Sequence, residues 1–333
     1  MFTNEKPLTA AELGKLWVSY MGNSMGKCIL GHYLQHVEDK NIERVVRNAY
    51  NLSDKLMNKI TDIFKKENIP HPVGFTNADV DLAAPRLFSD QYYLHYLRYT
   101  CKAGLSIYSI AIPLMSRKDI RQFFIHTSEA TANLISDINN VILSRGNLMD
   151  PAPIPPPQKV DFVKKQSYLK GFMGETRPLH ALEITHLYDN IDNNITSKAL
   201  LIAFSQTAVD KRIKNYFIRG KKITDKHIEV NTQKLNDDNL PAPSLLDHLV
   251  TTSITPPYSD KLMLAHKIDM FSMKVRSYGN AISLNGRRDL GAMYGKFLGD
   301  LGAYVEDGAN IMIDHGWMEQ PPQAVDRDSL TTN

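Results

Sequence analysis

Two cysteines in 333 residues, Cys28 and Cys101, offer no disulfide framework, and neither stands in a redox or zinc spacing. Both are expected as small core hydrophobes. An excess of one charge is also missing: 39 basic against 36 acidic residues gives +3, which creates no field for nucleic acid. No apolar run approaches a membrane span, and the first residues, MFTNEKPLTAAELG, do not read as a signal peptide. The expectation is a cytoplasmic protein with no nucleic-acid partner and no membrane span. There is no glycine-rich phosphate loop, no nucleophile elbow and no ordered serine–histidine–aspartate set, so nothing asks for an enzyme. What remains, 43% apolar and 23% charged, is globular composition in a chain long enough for two domains.

What is present is written twice. ENIPHP at 67–72 and DDNLPAP at 237–243 both read as the end of a polar helix followed by a Pro-x-Pro exit. Shifted by 171, residues 7–72 align with 178–243 without a gap; shifted by 170, 89–151 align with 259–321. Identities such as Glu12/Glu183, Lys27/Lys198, Asp54/Asp225 and Arg117/Arg287 run several-fold above a chance level of about 6%. The period is too long for a solenoid, so each copy is a domain. The copies are placed at 1–150 and 179–333, with a connector at 151–178. Five prolines at 151–157 predict an extended, semi-rigid spacer that sets their separation.

Each copy carries helical periodicity. Leu13, Leu16, Trp17, Tyr20 and Ser24 share a stripe with their counterparts Ile184, Leu187, Tyr188, Ile191 and Ile195. Thr9 with Glu12 predicts a capping box, and Gly146 and Gly316 predict left-handed helix ends. Four helices per copy, with short links between one and two and between three and four, give an all-α chain of two tandem four-helix bundles. The long stretches 69–88 and 240–258 predict a crossover between helices two and three, the ferritin-like connectivity.

Ferritin-like bundles raise a di-iron site, which needs Glu-x-x-His on two helices and a carboxylate on the other two. Only Glu183 and His186 supply that spacing, and none of the eleven histidines has a histidine at the matching position of the other copy. A divalent metal held by Glu183, His186 and His227, in the second bundle alone, is the one candidate site; His266 lies at the opposite end of a crossover bundle. The structural reading makes Glu183 a helix cap and the histidines partly buried polar residues. Asp54/Asp225, Asp137/Asp307 and Lys27/Lys198 are expected to form a buried ion pair tying helices together. The basic run 209–226 reads as a solvated face, and Tyr92, Tyr96 and Tyr99 as core or inter-domain surface.

The motifs HVED, FTNADVDLAAPRLFSD, PIPPPQKVDFVKKQSYL, RPLHALEITHL, NLPAP, TPPYSDKLM, RRDLGA and EDGANIMIDHGWMEQPPQAVDRD carry a resemblance. From about residue 8 to 330 the chain resembles the tandem-bundle family of Gram-positive spore formers called domain of unknown function 3231. The resemblance implies ferritin-like bundles similar to small spore-coat proteins of coat protein F type, and no catalytic residues or cofactor. The expected function is a non-enzymatic structural or interaction protein, associated with the spore coat or sporulation. Its partners would be protein surfaces, or a second copy, meeting its helix faces. The alternative is a metal- or small-molecule-binding ferritin-like protein with its site in the second bundle.

Overall fold

The computed structural model describes residues 6–146, 151–172 and 176–331. Within them α1 (Ala10–His36), α2 (Lys40–Lys66), α3 (Asp90–Ala111) and α4 (Lys118–Leu143) form one set of four helices. A second set consists of α5 (Ala181–Thr207), α6 (Lys211–Asn236), α7 (Asp260–Leu284) and α8 (Arg288–Asp314). The ends follow local chemistry. Thr9 and Glu12 close a reciprocal capping box on α1, as His180 and Glu183 do on α5. Asp39 and Asp210 accept from the first free N–H groups of α2 and α6. Asn68 and Asn239, at φ 56° and 58°, turn the chain out of those helices, and Gly146 and Gly316, both at 66°, end α4 and α8.

Carboxylates kept in both copies fix the connectivity. Asp90 accepts from the backbone N–H groups of Glu38 and Asp39 at 2.9 and 2.8 Å, and Asp260 from Val209 and Asp210 at 3.1 and 2.7 Å. The third helix of each set therefore starts beside the turn joining the first two. At the other end, Glu12 accepts from Arg117 N–H at 2.8 Å and Glu183 from Arg287 N–H at 3.0 Å. These bonds join the start of the first helix to the turn between the third and fourth. The segment between the second and third helices must then run the length of the bundle. The all-α pair of four-helix bundles and the long crossover are as the sequence predicts.

The separation of the bundles is not as predicted. One cluster of buried apolar side chains runs through both halves, from Tyr33 and Tyr92 to Phe204 and Met270. Tyr92 donates to Thr196 O at 2.9 Å, Tyr99 donates to Met270 O at 2.6 Å, and Lys102 pairs with Asp189. Burial of this tyrosine stripe, not the proline connector, sets the spacing, and the connector is almost wholly exposed over 151–165. The expected limit at 150 and connector residues 173–175 lie outside the described residues.

The two crossovers also pair with each other. Val80 bridges Tyr258 while Phe88 bridges Val250, and 80 and 88 are the counterparts of 250 and 258. Asp81 N–H donates to Pro257 O at 2.8 Å and Thr251 N–H to Leu87 O at 2.8 Å, again a reciprocal pair. Residue i of one copy thus meets j of the other, and j meets i, which is the signature of a local twofold axis.

Candidate functional site

The metal candidates do not converge. Glu183 is fully buried, and both its oxygens are engaged: Arg177 donates two hydrogen bonds of 2.8 Å, and the N–H groups of His180, Gly286 and Arg287 donate at 3.1, 3.1 and 3.0 Å. Burial alone would raise its pKa, but Arg177 and the backbone donors hold it below the ordinary carboxylate value. His227 stacks on Phe297 at 3.9 Å, takes Tyr278 Oη at 3.1 Å on Nδ1, and lies 3.6 Å from Asp300, beyond hydrogen-bond reach. Burial pushes it down to about 3, so it is neutral. His186 is half-buried with Nε2 unpartnered. Among the described residues no group of three or more His, Cys, Asp or Glu side chains is placed to hold a metal ion.

The other shared charges pair as expected, though nearer the surface. Lys27 reaches Asp54 at 2.5 Å and Lys198 reaches Asp225 and Asp247 at 2.8 Å each. Asp137 and Asp307 face Arg44 and Arg219 in exposed pairs. The basic run on α6 is likewise laced by Arg212–Asp314 and Lys221–Asp225. Both cysteines are free and buried.

The feature that has no such structural explanation is a cavity of about 550 Å³ inside the first bundle. Its wall is mainly apolar, built by α1 to α4 around Met25, Leu30, Leu97, Cys101 and Leu134. Glycines 14, 22 and 26 keep side chains off the α1 side, and Val18, 41% exposed, marks a mouth to solvent. One end is supplied by the second half: His266, Asp269 and Met270 of α7 enter the wall. His266 stacks on Tyr96, with Nε2 at 2.8 Å from Tyr96 Oη, and burial pushes it down to about 3. Burial raises the Asp269 carboxyl above its ordinary value.

A strap from the C-terminal segment crosses the same cavity. Trp317, Met318 and Glu319 line it, and the Glu319 carboxylate accepts from Val73 and Gly74 N–H at 2.9 and 2.7 Å. The receiving turn requires glycine. Gly74 has φ +65°, and a Cβ there would stand 2.5 Å from Ser24 Oγ.

The corresponding space in the second bundle is filled. Where the first copy has Gly26, Ser53, Leu97, Cys101, Gly104 and Leu134, the second has Ser197, Thr224, Lys267, Phe271, Lys274 and Tyr304. Lys267 and Lys274, 0% and 1% exposed, lie over the Phe271 ring with Nζ at 5.5 and 4.2 Å from its centre. Lys267 donates to Ser197 Oγ at 2.7 Å and Lys274 to Thr224 Oγ1 at 3.2 Å. Neither reaches a carboxylate of the described residues, and burial holds both well below the ordinary lysine pKa.

Asp269, Lys267 and Lys274 did not announce themselves by spacing, because each fits an amphipathic helix. Their signal lay in the mismatch between copies: leucine and glycine at 97 and 104 become lysines seven residues apart on a buried face.

No curated protein matches the chain. A solved protein of Bacillus halodurans C-125, provisionally described as a spore coat protein, is 17% identical. It aligns over 47% of this chain and 98% of its own length with a TM-score of 0.39. The sequence profile of proteins of unknown function DUF3231 matches residues 1–160 and again 167–330. That double match covers nearly the whole sequence, and the chain belongs to the DUF3231 family of proteins of unknown function.

Proposed function

We propose that this is a non-catalytic binding protein that encloses a small, mainly apolar molecule in its first bundle. The observation that supports the reading is the contrast between copies: a cavity of about 550 Å³ in one and a filled interior in the other. An apolar space of this size with few polar groups is the usual form of a small-molecule site. The groups facing it are poorly suited to chemistry at neutral pH. Burial pushes the Cys101 thiol up to about 12 and His266 down to about 3, which suits neither of these two to act as nucleophile or proton carrier. The site stands in the first bundle rather than the second, where the sequence suggested one.

Trp17 and Trp317, the two tryptophans of the chain, both line the cavity and serve as reporters. Titration with decanol should give a saturable, one-to-one change in their fluorescence. Cys101→Phe, which places the second copy's phenylalanine in the first, should weaken binding by about tenfold or more while the protein still melts cooperatively. A linear, unsaturable response in the unaltered protein would remove the proposal. The spore-coat setting implied by the family resemblance, reached through contacts on exposed helix faces, belongs to the same proposal. The protein is then expected in coat extracts of purified spores, and its confinement to soluble cell fractions would count against that setting.

A further inference from the structure

The polar end of the cavity specifies what its occupant must carry. His266 and Asp269 stand three residues apart on α7, on one helical face. Of the neighbouring hydroxyls, Tyr99 donates to Met270 O, Tyr96 is bound to His266 and Tyr108 accepts from Asn23 at 3.1 Å; none donates to Asp269. Arg276, whose charge acts on Asp269, forms no ion pair with it; it donates its Nε to Ser106 Oγ at 3.1 Å and leaves Nη2 without a hydrogen bond. The Asp269 carboxylate makes no hydrogen bond with any described residue. A carboxylate that receives no hydrogen bond in a mainly apolar wall is unfavourable, and a cation bearing N–H groups supplies both charge and hydrogen bonds. An anionic head would be repelled there, and a wholly apolar ligand would leave the carboxylate bare.

We propose that the ligand is an amphipathic amine, with its ammonium head against Asp269 and its apolar body in the first bundle. The inference rests on the cavity reading and deepens it. It also gives the contact between halves a role, since the head group would be held by α7 and the body by α1 to α4.

The test uses the full chain at pH 7 with three sub-micellar probes of equal length, decylammonium, decanol and decanoate, followed by calorimetry and tryptophan fluorescence. Decylammonium should bind at least about tenfold tighter than decanol, the span of one charge-assisted hydrogen bond, and decanoate weakest. Asp269→Asn should bring the amine to the level of the alcohol and leave the alcohol unchanged, with the thermal transition as a control on folding. The order of the three probes on the unaltered protein decides the matter even if the variant misfolds. Equal binding of amine and alcohol overturns the head-group inference and leaves the cavity reading standing. Binding of none of the three overturns both.

Discussion

Raising the pH from 7 to 9 should make this protein substantially harder to unfold. Lys267 and Lys274 are buried with no carboxylate of the described residues as partner, and their folded-state pKa values are held well below 10.5 by desolvation. In the unfolded chain each amine keeps its proton up to about the ordinary lysine value, so unfolding takes up protons across this range. Stability then climbs with pH by up to about 1.4 kcal/mol per unit for each lysine that is neutral in the fold. The gain levels off above pH 9, where the thiols begin to ionise on unfolding. Burial has raised Cys28 to about 11 and Cys101 to about 12, so their contribution has the opposite sign and offsets that of the lysines. Below pH 6.5 the slope steepens, because His32, His227 and His266, lowered to about 4, 3 and 3, stay neutral in the fold and charge in the unfolded chain. Urea midpoints at pH 6, 7, 8 and 9 measure this directly. The double variant Lys267→Met, Lys274→Met keeps an unbranched chain of similar length. It should be several kcal/mol more stable at pH 7 and should lose the slope between 7 and 9. An unaltered slope in that variant would show that the amines are not the groups responsible.

Glu183→Ala should destabilise the protein by about 3–5 kcal/mol, the usual penalty for breaking a buried ion pair from one side. The carboxylate is 0% exposed and takes five hydrogen bonds from four residues. Its removal would strand the Arg177 guanidinium and the N–H groups of the α7–α8 turn together. The loss should be the same with and without a chelator, because the residue joins helix ends rather than holding a cation. Glu183→Gln should fall between, since an amide can still accept but cannot compensate Arg177. A loss appearing only when divalent metal is supplied would restore Glu183 as a ligand.

Much of the fold was legible because local rules and the repeat agreed. Thr9 with Glu12, the asparagines at 68 and 239, and the glycines at 146 and 316 each mark an end that the backbone needs, and each end is where it was expected. The packing of one bundle on the other was not legible. Tyr92, Tyr96 and Tyr99 suit a core and an interface equally, and only their partners, Thr196, His266 and Met270, separate the two. The candidate site was hidden for a related reason. A cavity is made of what is missing, and Gly26 and Gly104 read as ordinary helix residues until Ser197 and Lys274 are seen filling the same places. Glu183 carried two readings from its spacing, helix cap and metal ligand, and it caps α5 as the first of them expected.

The local twofold axis has a further consequence for how the halves can differ. In a symmetric dimer every substitution appears on both sides, so a lysine that fills one interior fills the other. Here the axis joins unlike residues, Tyr96 to His266, within one covalent chain. The tether keeps the halves together without requiring that they match. One copy is then free to keep an open interior while the other closes its own and supplies the first with a wall residue, Asp269, and a cover, Trp317 to Glu319. On the proposed reading, duplication in this chain yields a host and a cover, two parts that no pair of identical subunits could divide between them.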